Sequence, residues 1–107
     1  MLYDRILTLC ELEAGDGFRR LRKKRDLYFG EATVGITRFY TAMQAGTRVD
    51  MTAELWPAGV QAGQYCLIDG DQYRVIQVQR KNNSDGLPVE LLSLRLSETV
   101  FPVEVQQ

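Results

Sequence analysis

Arg19, Arg20, Arg22, Lys23, Lys24 and Arg25 place six of the chain's 13 basic residues within seven positions. This is the one stretch whose residue types could hold phosphates, because guanidinium and ammonium groups at this density attract a polyanion. The other seven bases face 14 acids, so the rest of the chain carries −7 against an overall −1. Charge is therefore segregated along the chain. Aromatic residues do not alternate through the run, which argues against base stacking of the single-strand-binding kind. With only Phe18 and Leu21 as apolar neighbours, the run reads as a protruding loop between two strands, a cationic finger that could face DNA. A solvated loop with no partner, or a surface for an acidic protein, would have the same composition.

Other chemistry is limited by residue type. The chain has no histidine, so neither a Ser-His-Asp nor a Cys-His arrangement can form. A zinc site of the usual nitrogen and sulfur type also lacks ligands. Cys10 and Cys66 are the only cysteines and are far apart; they read as buried small hydrophobes in a reducing compartment. Gly15-Asp16-Gly17 lacks the Gly-Lys-Ser/Thr ending of a phosphate loop. The carboxylates are scattered and their spacing nominates no pair. The expectation is a binding or assembly part with no catalytic residue, cofactor or metal.

The elements that would position these residues are mostly strands. The strongest short-range signal is Gln64–Gln79, where two β-prone runs, Tyr65–Ile68 and Tyr73–Val78, flank Asp69-Gly70-Asp71-Gln72. An Asp-Gly pair can take positive φ at both central positions of a type I′ turn, which matches the twist of antiparallel strands. Tyr73 and Val75 alternate one way and Ile76 and Val78 the other, as in a strand sandwiched within a small barrel. Leu2–Leu12 makes a first strand, ended by Ala14-Gly15-Asp16-Gly17. Leu27–Ile36 makes a second, with bulges or close backbone approaches expected at Gly30 and Gly35. Thr37 can cap a short helix through Ala45, ended by Gly46. In Thr47–Trp56, Val49, Met51, Ala53 and Leu55 alternate with polar residues, which predicts a half-buried strand with Trp56 as a core or rim plug. Pro88–Leu96 is a sixth strand, with a bulge or two-faced burial expected near Leu91-Leu92. Thr99–Gln107 reads as an extra edge strand or a segment ordered only against a neighbour. The whole predicts one mainly β domain over residues 1–107: a small six-stranded antiparallel β-barrel with one short helix. At 107 residues such a domain buries a core without staples. No run approaches the ~18 apolar residues of a membrane span, and the N-terminus lacks the marks of a secretory signal. Use in a cytoplasm is expected.

Phe39-Tyr40-Thr41-Ala42-Met43-Gln44-Ala45-Gly46, followed by an alternating strand, resembles the short helix of the tailed-phage head–tail adaptor (head-closure, or head-completion) proteins. Gly70-Asp71-Gln72-Tyr73-Arg74-Val75-Ile76 is similar to that family's Gly-x-x-Tyr hairpin. The likeness runs over about Thr33 to Leu96. The family places an acidic residue after the glycine that opens the hairpin, where this chain has Gly63-Gln64, and the basic run matches no family motif. The resemblance implies a virion structural protein of the neck, assembled in the host cytoplasm and not an enzyme. It would join portal or adaptor ring and tail proteins, self-associate into a ring below the portal, and help retain packaged DNA. Isolated, it would be a monomer or weak oligomer that contacts no membrane. Val100, Phe101, Val103 and Val105 are then candidates for protomer or tail contacts. Arg19–Arg25 and Asn82–Gly86 are candidates to reach the channel. Two alternatives stay open: a small barrel of the OB or SH3-like kind that binds nucleic acid directly, and a tail-completion protein of related fold.

Overall fold

A computed structural model describes residues 3–32 and 48–104. Seven strands follow in chain order: β1 (Arg5–Gly15), β2 (Phe18–Glu31), β3 (Met51–Leu55), β4 (Tyr65–Ile68), β5 (Asp71–Asn82), β6 (Pro88–Leu96) and β7 (Val103–Glu104). The molecule is mainly β, and the sheet order β1-β4-β5-β6-β3-β2-β7 closes in a ring because β1 also pairs with β2. Six antiparallel strands make the ring, and β7 is a parallel addition to β2. The expected helix over Thr37–Ala45 and the bulge at Gly35 lie outside the described residues.

Strand alternation fills the ring. Leu7 and Leu9 of β1, Phe29 of β2, Ala53 and Leu55 of β3, Cys66 and Ile68 of β4, Val75 of β5 and Leu92 and Leu94 of β6 form one buried cluster. Each pair sits two residues apart, so each strand turns one face inward. Full burial of a side chain of this size is worth about 1.5–3 kcal/mol. The central hairpin turns as its sequence predicts. Ile68 pairs with Asp71, and Asp69 and Gly70 take φ of 51° and 85°.

The apparent two-faced pattern of β5 has a different cause. The register between β5 and β6 shifts between Val75 and Gln77, so Ile76 is an extra residue that resets the phase. Val75 and Val78 then pack against the same cluster. β6 has no shift of its own on β3 or β5, and it buries Val89, Glu90, Leu91 and Leu92 in succession; two-faced burial, not a bulge, is the outcome there. In β2 the irregularity falls at Lys24, not at Gly30, which pairs regularly with Glu54.

β3 is covered on both faces rather than half-buried. Thr52 and Glu54, expected outside, are both buried, and the Tyr3 hydroxyl donates to a Glu54 carboxylate oxygen at 2.8 Å. Tyr3 also meets Trp56 edge to face, with centroids 4.9 Å apart. Trp56 is a rim residue and remains half exposed.

One end of the ring is closed by the turn after β3. Val60 enters the core there, and the backbone amides of Ala58, Gly59 and Val60 each donate to the Glu90 carboxylate at 3.2 Å. Arg80, opposite Glu90 in register, lies 3.3 Å from it and also donates to the Val60 carbonyl. A carboxylate only 2% exposed is tolerated because three amides and a guanidinium replace its water.

Candidate functional site

The basic run is not a loop. It is the return strand of a long hairpin in which Gly15 pairs with Phe18 across the two-residue turn Asp16-Gly17. Only Gly17 of that turn has positive φ, at 80°. Phe18 folds over Gly15, where any side chain would collide with its ring. Beyond Cys10, β1 pairs with β2 alone, and β7 borders β2 only at Leu21 and Arg22. The hairpin therefore projects as an arm whose last three residues per strand, Glu13–Gly15 and Phe18–Arg20, stand free of other strands over about 10 Å at ~3.4 Å per residue.

The arm folds because its two strands carry opposite charges in register. Glu11 lies opposite Arg22, and Glu13 opposite Arg20. Lys24 Nζ sits 2.8 Å from Glu11, Arg22 3.3 Å from Glu11, and Arg20 3.1 Å from Glu13. Glu104 of β7 adds a contact of 3.7 Å to Arg20. The Lys24 ammonium, and then Arg22, hold the Glu11 carboxyl below its ordinary value. Each exposed pair contributes only ~0.2–1 kcal/mol, but opposite charges across a strand pair fix its register.

This pairing divides the six cations. Arg20, Arg22 and Lys24 are taken by carboxylates. Arg25 donates to the Ala58 carbonyl. Arg19 and Lys23 form no ion pair with any of the 14 acids, all of which lie among the described residues. At the tip Arg20 also stacks over Phe18, 5.0 Å from the ring centroid, and Phe18 is 45% exposed. A readable signal for the hairpin was present in the sequence. Counting outward from Asp16-Gly17 brings Glu13 to Arg20, Leu12 to Leu21 and Glu11 to Arg22.

The candidate contact residues at the other end of the chain are divided too. Val100 is 81% exposed. Phe101 is buried by its own chain, in a second core with Cys10, Leu21 and Tyr65 that Val103 partly covers. Its ring meets Tyr65 edge to face, centroids 5.6 Å apart, so little of Phe101 stays open to a neighbour. Val105 lies outside the described residues. The segment from Ser97 to Glu104 is a strap across the outer face of the sheet. The Gln72 side chain clamps it, donating to the Phe101 carbonyl at 2.7 Å and accepting from the Phe101 amide at 2.9 Å. The Leu21 amide then donates to the Pro102 carbonyl at 2.8 Å. Nothing in the composition of Gln72 marked it for this role.

Asn82–Gly86 spans the end of β5 and the turn into β6. The Asn83 side-chain oxygen accepts from the amides of Asp85 and Leu87, both at 2.9 Å, which holds that turn in one shape.

The cysteines are free and buried. Burial pushes the Cys10 thiol up to about 11 and the Cys66 thiol to about 12, so neither supplies a thiolate near neutrality. Among the described residues no group of three or more His, Cys, Asp or Glu could hold a metal ion, and no helix is long and apolar enough to cross a membrane. Among the described residues, the arm and the strap are two features that a partner could meet. No family model matches this chain, and comparison with curated proteins finds no significant match.

Proposed function

We propose that this protein is a structural part of a tailed-phage neck, a small β-barrel with one short helix that joins the portal of the DNA-filled head to the tail. The observation that carries the reading is the arm. A closed ring of strands gives a rigid body, and a charge-zipped hairpin extends from it with Phe18 exposed at the tip. Such an arm suits a subunit that interlocks with copies of itself, because the arm keeps its shape before any neighbour is present. The resemblance of Phe39–Gly46 and Gly70–Ile76 to head–tail adaptor proteins points the same way. In this reading the protein works by assembly rather than catalysis, in the host cytoplasm and then in the virion. Within the basic run, Arg19, Lys23 and Arg25 have no carboxylate partner and are the ones that face packaged DNA. Arg20, Arg22 and Lys24 keep the arm zipped.

Co-sedimentation with DNA-filled heads and portal rings tests the proposal. The protein should pellet with them, and Phe18→Ser should weaken that association without lowering thermal stability. Free duplex DNA should bind weakly, with a log–log salt slope near about −3 from three available cations rather than near −5 from six. Tight binding to free duplex with no association to heads would favour the nucleic-acid-binding barrel instead.

A further inference from the structure

The outer face of β4, β5 and β6 carries a row of residues in register, with Tyr65 opposite Arg74 and Arg74 opposite Arg95. Like charges directly opposed across two strands repel. The strap leaves β6 just beyond this pair and stands over it. Between them lies an open cleft of about 190 Å³, lined by Arg74, Arg95, Tyr65, Ser97, Thr99 and Phe101, among others. Glu98 also lines the cleft and lies 2.9 Å from Arg95, but its side chain is 83% exposed. Arg74 pairs with none of the 14 acids, all of which are described.

We propose that this cleft binds one oxyanion group, a phosphate or a carboxylate, between the guanidiniums of Arg74 and Arg95. A guanidinium offers donors in a planar fork that matches either anion, and an anion between two of them relieves their repulsion. The Tyr65–Phe101 edge-to-face pair walls one side. The Gln72 clamp on the Phe101 backbone fixes the strap beside the cleft. Glu98 is the built-in competitor, holding Arg95 until a better anion arrives. The inference stands apart from the neck assignment, since it uses neither the arm nor the resemblance.

The test is an NMR titration of the arginine side-chain Nε–H resonances, run separately with inorganic phosphate and with N-acetylglutamate at constant ionic strength. Both Arg74 and Arg95 should shift along a saturable curve with at least one anion. The anion that saturates first identifies the source as phosphate or carboxylate. Arg74→Gln should weaken binding about tenfold, the loss of one charge-assisted pair. Glu98→Gln should tighten it several-fold, an effect that a merely structural role for Glu98 would not produce. Arg19→Gln, on the remote arm, should change nothing. Linear, non-saturable shifts with both anions, or equal affinity in Arg74→Gln and the unaltered protein, would overturn the proposal.

Discussion

Glu90 shows how one side chain can hold an end of the ring shut. Its carboxylate accepts from three consecutive amides, at Ala58, Gly59 and Val60, while Arg80 lies against it. Glu90→Ala leaves those amides, of which only that of Val60 is buried, without their acceptor and should cost about 2–4 kcal/mol, read as a shift in the denaturation midpoint. Glu90→Gln keeps the shape and should cost less. Tyr3 is a second latch at this scale. Burial, and then the bond to Glu54, raises its phenol to about 12. The protonated form is the one the fold favours, so its contribution is complete below pH 10 and is lost as pH rises from 10 through 12. The stability difference between the unaltered protein and Tyr3→Phe should shrink over that window; a difference that stays constant would mean that folding does not raise the phenol.

At the scale of elements, the arm and the strap depend on each other. β7 pairs with Leu21 and Arg22 of β2, and Phe101 roofs Cys10 and Leu21. Phe101→Ala should therefore cost about 3–5 kcal/mol. It should also make Cys10 reactive to a thiol reagent while Cys66, in the ring's interior, stays protected. A variant with full stability would mean that Phe101 does not hold the second core. The sequence was legible where a strand stated its own face. Tyr65–Ile68 and Asp69-Gly70 needed nothing beyond local pattern and turn chemistry. It was illegible where the face was supplied by a distant partner. Arg19–Arg25 has no apolar period of its own, and what makes it a strand lies elsewhere in the chain: Glu11 and Glu13 across the turn, and the strap that covers Leu21. Phe101 looked like an exposed apolar residue in a tail because the surface that buries it belongs to Cys10, Leu21 and Tyr65.

At the scale of the whole molecule, ring closure was foreshadowed by apolar residues at two-residue spacing in several short runs, but its seams were not. β2 and β3 share just the pairs Gly30–Glu54 and Glu31–Ala53, with one further bond from the Ala32 amide to the Thr52 carbonyl. β5 and β6, by contrast, are paired from Tyr73–Leu96 out to Asn82–Pro88. No periodicity distinguishes a strand that meets its neighbour along its length from one that meets it at a corner. The two bulged positions, Lys24 and Ile76, were hidden for a similar reason. A bulge is a mismatch between two strands and has no composition of its own when neither residue is glycine.

The strap also sets an order of events during synthesis. The arm can zip as soon as Arg25 has emerged, because its partners are neighbours in the chain. Its outer face, with Cys10 and Leu21, is covered in part by Tyr65 and Leu67 of β4 and stays open on the side of Phe101 until that residue arrives, most of the chain later. During that interval the nascent protein presents an apolar patch beside an unpaired strand edge, the combination that invites sticking to other chains. Gln72 is already in place on the central hairpin by then, and its amide captures the Phe101 backbone as a strand would. Ribosome-bound chains that stop short of Phe101 are the ones a chaperone would hold.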